Sequence, residues 1–435
     1  MNALLALLLA AAVPIAPIPF QHRTLPNGLQ VYSVEDHSAP TVAIQVWYHV
    51  GSKDDPPGRS GFAHLFEHMM FKATAHMKSE MMDRLTEDVG GYNNASTADD
   101  TTWYYEEVPS NYLQTLLWAE ADRMGSLLVD DANFNSEREV VKEEFRTSVL
   151  APPYGLFYYA IDKDSFAAHP YRRPTIGSIE DLDASTLADV QKFHSTYYRP
   201  DNATLVVVGD IDRKQLDAWV DRYFGAVGKP DLPIPRVAVK EPPREASKKI
   251  TETGPNVPLP AVALTWLAPS ATDPDRYPLD VVSAILAQGE SSRLYQSLIY
   301  RQQIAQDVNA DDDLREDLGI YVVTATVASG KSPEVVLKAI DEELHALEEK
   351  PVTEAELVKA KNQLITAQLH RRETNDGKAG AIGYAATVLH DANEVNSGLA
   401  KLQAVTAADI KRVVDKYIKN GKSLTITYVS KGVAQ

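Results

Sequence analysis

Cysteine is absent from the 435 residues of the chain. Its absence removes disulfides and thiol nucleophiles, and it leaves His, Asp and Glu as the side chains able to hold a metal. It also fits an oxidising compartment, where stray thiols are a hazard. Positive charge is in deficit: 43 Lys and Arg against 60 Asp and Glu give a formal net charge of −17. Phosphates would be repelled, which argues against nucleic acid as the main partner, while a negative cleft that draws in basic peptides is allowed. No apolar run reaches transmembrane length. No short repeat period exists, which excludes a solenoid.

The apolar run at 4–13 has the length of a signal-peptide core, and Ala10, Ala11 and Ala12 offer a small-residue cleavage site. Residues 1–18 are therefore read as a cleaved export signal, which places the mature chain in the periplasm or outside the cell. The length calls for more than one domain. "LQVYSV" and "TVAIQVWYHV" alternate like paired strands after a "PNG" turn, and helical patterns follow at 60–73, 77–89, 109–126 and 133–149. "ATLVVVGD" at 203–210 reads as a buried strand, followed by a helix that Gly225 stops. The composition then turns rich in proline and charge over 228–249, a linker signature. Beyond it come strands at 261–269, 319–327 and 423–430, with helices at 276–288, 332–349, 353–371 and 406–418. The expected layout is a first domain over 19–235, a linker over 236–250 and a similar α/β domain over 251–435.

The stretch "GFAHLFEHMMFKAT" at 61–74 carries His64, Glu67 and His68 in the order H-x-x-E-H. Residues i and i+4 of a helix share a face, so the two imidazoles can point at one ion. Glu67 is rotated from the His–His axis, which suits a carboxylate that takes a proton from water beside the metal. The flanking residues are apolar, and polar groups on a buried helix need a partner to offset desolvation. A catalytic zinc needs a third protein ligand. "NSEREVVKEEFRTS" is the best source: Glu137 and Glu144 are seven residues apart and share a helical face. Ser136 is placed to cap that helix with Glu139 as its partner. Glu143 lies about 100° round the helix from Glu144, and on spacing alone either could be the ligand.

These motifs, with "LPNGLQVY", "GGYNNASTADDTTWYYEEVP", "HPYRRPTIGSIEDLDASTLADVQKFHSTYYRPDNATLVVVGDID" and "GESSRLYQSL", resemble the pitrilysin/insulinase family of inverted-zincin metallopeptidases, in its mitochondrial-processing-peptidase-like branch. The resemblance runs over nearly the whole mature chain and is densest in the first half. It implies an α+β fold of two similar halves, each an antiparallel-rich sheet covered by helices, closing as a clamshell around the active site. It implies one Zn2+ per chain held by His64, His68 and Glu144 (not Glu143), with Glu67 as general base and Glu137 supporting the site. Asn94, Ala95 and Thr97 match an "NA-x-T" segment on an edge strand that pairs with the substrate backbone. Family members that work alone carry an Arg and, seven residues later, a Tyr after "SSRL", which assist the oxyanion. Here an ungapped alignment puts Ile299 and Gln306 at those places, and Arg301 has Val308, not Tyr, seven residues on. The expectation is a zinc endopeptidase acting as the zinc subunit of a heterodimer whose homologous partner supplies Arg and Tyr. A non-catalytic subunit of a larger complex and a peptidase dedicated to one precursor peptide are the alternatives.

Overall fold

The computed structural model describes residues 16–432; the apolar run read as an export signal lies outside them. Eleven strands form two sheets among the described residues: β1 (Gln21–Thr24), β2 (Gln30–Glu35), β3 (Thr41–Tyr48), β4 (Tyr92–Thr97), β5 (Thr102–Pro109), β6 (Ala203–Gly209), β7 (Lys248–Gly254), β8 (Ala261–Ala268), β9 (Ala305–Asp313), β10 (Gly319–Val327) and β11 (Leu424–Ser430). The first sheet has the order β1-β2-β6-β3-β5-β4 and the second β7-β11-β8-β10-β9. Apart from the added β1, the two orders are the same. Each half has a single parallel pair, β2 with β6 and β7 with β11, and otherwise antiparallel ladders. The fold is two similar α/β halves, as expected. In each, the last strand returns to lie beside the first of the shared set.

Helices Phe62–Met69, Leu113–Ser126, Leu187–Tyr197 and Arg213–Tyr223 cover one face of the first sheet, burying Phe66, Leu116, Leu117, Phe193 and Leu216. The second sheet is covered likewise by helices Arg276–Ala287, Pro333–Glu349, Glu354–Arg371 and Ala407–Val413. The remaining face of each sheet is covered by a helix from the other half. Helix Asn375–Thr387 lies on β3 and β6, where Ala379 and Ile382 join a core with Trp47, Val206 and Val208. Helix Gly155–Ser165 lies on β7 and β8, where Phe157 and Ile161 meet Ala261, Ala263 and Tyr428. This exchange buries both faces of β3: Val42 to Tyr48 are all buried, because the second face is roofed by helix Asn375–Thr387. Gln45 adapts by donating to the Asp376 carboxylate at 2.7 Å and accepting from Trp47 Nε1 at 2.8 Å. Gly383 permits the close approach: a Cβ there would lie 2.1 Å from Trp47 Nε1.

Between helix Arg213–Tyr223 and β7 the chain forms no helix or strand. It is nonetheless strapped down. The Glu241 carboxylate accepts the backbone N–H groups of Ala167, Ala168 and His169 at 2.6, 2.9 and 2.7 Å. Arg244 donates to the carbonyls of Ser165 and Thr265.

Candidate metal centre

Helix Phe62–Met69 starts at Gly61, which has φ +92, and a Cβ there would sit 2.8 Å from the Ile176 carbonyl oxygen. Glycine is thus required both by the left-handed turn and by the close backbone. Asp55 caps the helix: its carboxylate accepts Gly61 N–H at 2.7 Å and Ala63 N–H at 2.9 Å. Burial pushes the Asp55 carboxyl up to about 7, against those two bonds. Leu65, Phe66 and Met69 anchor the helix in the core, and His64, Glu67 and His68 stay only partly buried.

The helix packs on helix Asp131–Phe145. That helix is capped by Asp130, whose carboxylate accepts Asn133 N–H at 2.9 Å. Ser136 is therefore not the cap expected from the sequence. It lies inside the helix, where its hydroxyl donates to Glu137 Oε1 at 3.1 Å. The acidic Asp130 is favoured at the helix start, where free N–H groups and the dipole attract a carboxylate. The earlier start leaves the face argument intact. Glu137 and Glu144 both face the histidines, while Glu143 turns outward to Arg146 at 3.0 Å.

Glu144 Oε2 lies 3.6 Å from His64 Nε2 and 3.3 Å from His68 Nε2. Those gaps are long for hydrogen bonds. They match the separation of about 3.3 Å between two donors bonded at about 2.0–2.1 Å to a tetrahedral ion. One donor atom from each of the three residues falls within 4.8 Å of the others. His64 Nδ1 is buried with no hydrogen-bond partner. Burial, with His68 adding to it, pushes the His64 imidazole down to about 4, so near neutral pH it is uncharged and keeps a nitrogen lone pair for a cation. Burial also pulls His68 down, but the Glu137 and Glu144 carboxylates overcome it and hold the ring up at about 9. A pocket that favours a proton on His68 favours a cation in its place. The residues fit a divalent ion with two nitrogen donors and one oxygen donor.

Glu137 is not one of the three. It sits 3.8 Å from His68 Nδ1 and is paired with Lys72 Nζ at 2.9 Å. It lies behind the His68 ring, and against burial His68 and the Lys72 ammonium hold its carboxyl below the usual range. Glu67 is raised above the usual carboxylate range by burial, with the Thr97 hydroxyl opposing that by donating to Glu67 Oε2 at 2.5 Å. Thr97 closes β4, which is the outer strand of the sheet with one edge unpaired. Asn94 is exposed on that strand and Ala95 is buried. The structure thus brings the strand to the site, and it ties Thr97 to Glu67. Lys72 and Asp55 went unread in the sequence. Lys72 stands four residues after His68, so the same i, i+4 spacing would have found it; Asp55 carries no local signal.

In the second half, Ile299 packs partly buried on that half's core, and Gln306 is exposed on β9. Arg301 is exposed and turns to Glu343 at 3.5 Å.

The doubled sheet and the H-x-x-E-H helix, faced by a glutamate from helix Asp131–Phe145, define an inverted-zincin type of peptidase. The family model described as "Insulinase (Peptidase family M16)" matches residues 30–178, and "Peptidase M16 inactive domain" matches 184–364. The zinc protease PqqE of Helicobacter pylori is 31% identical over 409 residues, covering 93% of this chain and 91% of that one. A "Probable mitochondrial-processing peptidase subunit beta" from Arabidopsis thaliana is 26% identical, over 91% and 75% of the two chains. The crystal structure of a protease from Helicobacter pylori superposes with a TM-score of 0.91 at 30% identity, covering 95% of this chain and all of that one. The chain belongs to the insulinase family, peptidase family M16.

Proposed function

We propose that the chain is the zinc-bearing subunit of a two-chain endopeptidase that cleaves peptides or unfolded segments. One observation carries the reading: His64, His68 and Glu144 converge at ligand spacing beside a half-buried Glu67, while Ile299 and Gln306 occupy the places of an oxyanion-assisting Arg and Tyr. The names of the relatives, zinc protease and a processing-peptidase subunit, support it. One zinc held by His64, His68 and Glu144 would supply Lewis acidity, polarising the scissile carbonyl and acidifying a water. Glu67 takes the proton of the attacking water and passes it to the leaving amide nitrogen. Thr97 occupies Oε2, which leaves Oε1 to carry that proton. The unpaired edge of β4 holds the substrate as an added strand, with Asn94 and Ala95 beside it. A signal removed near Ala10–Ala12, rather than one reaching residue 18 as read from the sequence, would keep Ile18, which is buried and bonds Asn396 through both its N–H and its carbonyl. The mass of the native N-terminus tests that point.

The two-chain reading is tested by assaying peptide cleavage by the purified chain, alone and with a homologous subunit that carries Arg and Tyr. Loss of one oxyanion donor costs about 100- to 1000-fold in rate, so the lone chain should fall short by at least that factor. Full activity without a partner would end the two-chain reading. Glu67→Gln in the complex should abolish turnover while zinc content stays at the wild-type level. Turnover within tenfold of wild type would remove Glu67 as the base.

A further inference from the structure

A second group of two histidines and a glutamate lies away from the H-x-x-E-H helix, where the halves meet. His49 follows β3 of the first half, Glu316 sits between β9 and β10, and His390 follows helix Asn375–Thr387. His49 Nε2 lies 2.7 Å from Glu316 Oε2, and His390 Nε2 lies 2.7 Å from Glu316 Oε1. One donor atom from each of the three falls within 4.8 Å of the others. His390 holds a left-handed backbone with φ +54, uncommon for a residue with a side chain, and this turn presents its ring to the glutamate.

The other charges at this place are arranged so that a cation can be added. Lys53 also touches Glu316, but it has carboxylates of its own in Asp100 at 2.8 Å and Asp317 at 3.5 Å. His169 lies 3.3 Å from Asp317. Arg236 faces the group but spends its donors on the His49 carbonyl and on Asn202. Three carboxylates thus stand against one ammonium in contact with them. The His390 side chain is 53% exposed, which leaves an open side for water to complete a coordination shell.

We propose that His49, Glu316 and His390 form a second divalent-cation site, of the zinc class, that pins the two halves together. The donor types match those of the first site. Bonds of about 2.0–2.1 Å require both nitrogen–oxygen gaps to widen to about 3.3 Å, a shift of roughly half an ångström at each ring.

The test is metal counting on the full chain, stripped with a chelator, reloaded with zinc chloride and dialysed. Wild type should hold two equivalents, His390→Ala one, His68→Ala one, and the double variant none. Zinc should raise the melting temperature of His68→Ala and leave that of the double variant unmoved. A single equivalent in wild type that survives His390→Ala, or two that survive it, overturns the proposal. A single equivalent lost in His68→Ala does so while leaving the H-x-x-E-H centre intact. A single equivalent lost in His390→Ala but kept in His68→Ala supports this site and refutes the other.

Discussion

His64 and His194 are both pushed down to about 4, and the causes set them apart. For His64 burial acts together with the neighbouring His68, in a group that carries a metal's donors. For His194 burial acts alone: the ring stacks against the contacting pair Phe66 and Tyr198 at 5.1 and 5.9 Å, and its Nε2 is sealed without a partner. The unfolded chain protonates this imidazole below about 6.5, the native chain only below about 4. Its neutral form is therefore compatible with full stability above pH 6.5, and stability drains away as pH falls from 6.5 towards 4. The loss is at most about 3 kcal/mol. His194→Phe keeps the stack and removes the titration. Melting of the metal-free chain at pH 7.5 and pH 5 should show a smaller gap for the variant than for wild type; equal gaps would discard this account.

At the scale of elements, helix Leu113–Ser126 is tied to β5 by charge as well as by oil. Arg123 is 1% exposed, donates from Nε to Glu120 at 2.9 Å and from Nη2 to Glu106 of β5 at 3.2 Å, and lies 4.3 Å over the Tyr104 ring. Burial and the neighbouring Glu120 push the Glu106 carboxyl well up. Arg123→Met strands two buried carboxylates and should cost about 3–5 kcal/mol by chemical denaturation. Adding Glu106→Gln and Glu120→Gln should recover much of it; a triple variant as weak as the single one would show that packing, not charge, is the tie. None of this was legible from spacing, because the partners come from different elements. The H-x-x-E-H helix, β6 and the strand at 319–327 were legible, since each carries its own period and boundary residues. Helix Asn375–Thr387 was not. It holds three glycines and several alanines with no apolar stripe, because it is pressed against one sheet by residues that must be small. β9 was missed for a different reason: "AQDVNADDD" is an acidic edge strand with a single β-branched residue, so its pairing with β10 is decided by tertiary context. For the site, the helix periods supplied the facing of His64, His68, Glu137 and Glu144. They could not choose between Glu143 and Glu144, and they could not show that Thr97 reaches Glu67.

Across the whole molecule, the exchanged helices mean that neither sheet is fully covered without the other half. The junction is also charged. Arg315, 6% exposed, reaches from the second half to Asp99 of the first at 3.2 Å, to Asp162 of the exchanged helix Gly155–Ser165 at 2.7 Å, and to Asp313 beside it at 2.6 Å. It also lies over the rings of Tyr171 and Phe166 at 5.1 and 5.3 Å. A single cation facing three carboxylates differs from an ordinary surface pair, because its removal leaves like charges confined together and only partly hydrated. Burial already pushes Asp99 up to about 7 with Arg315 opposing it, so without the guanidinium that carboxyl can stay in place only by taking a proton. Arg315→Met should therefore weaken the junction by about 3–5 kcal/mol near neutral pH and by less in mild acid, where the stranded carboxyls protonate. Cleavage of the strap at 227–247 by a probe protease should speed up at pH 7.5 and recover partly at pH 5.5. Metal content of the H-x-x-E-H centre should stay unchanged, because all of its donors lie in the first half. Cleavage at the wild-type rate at both pH values would show that the exchanged helices hold the halves together without Arg315.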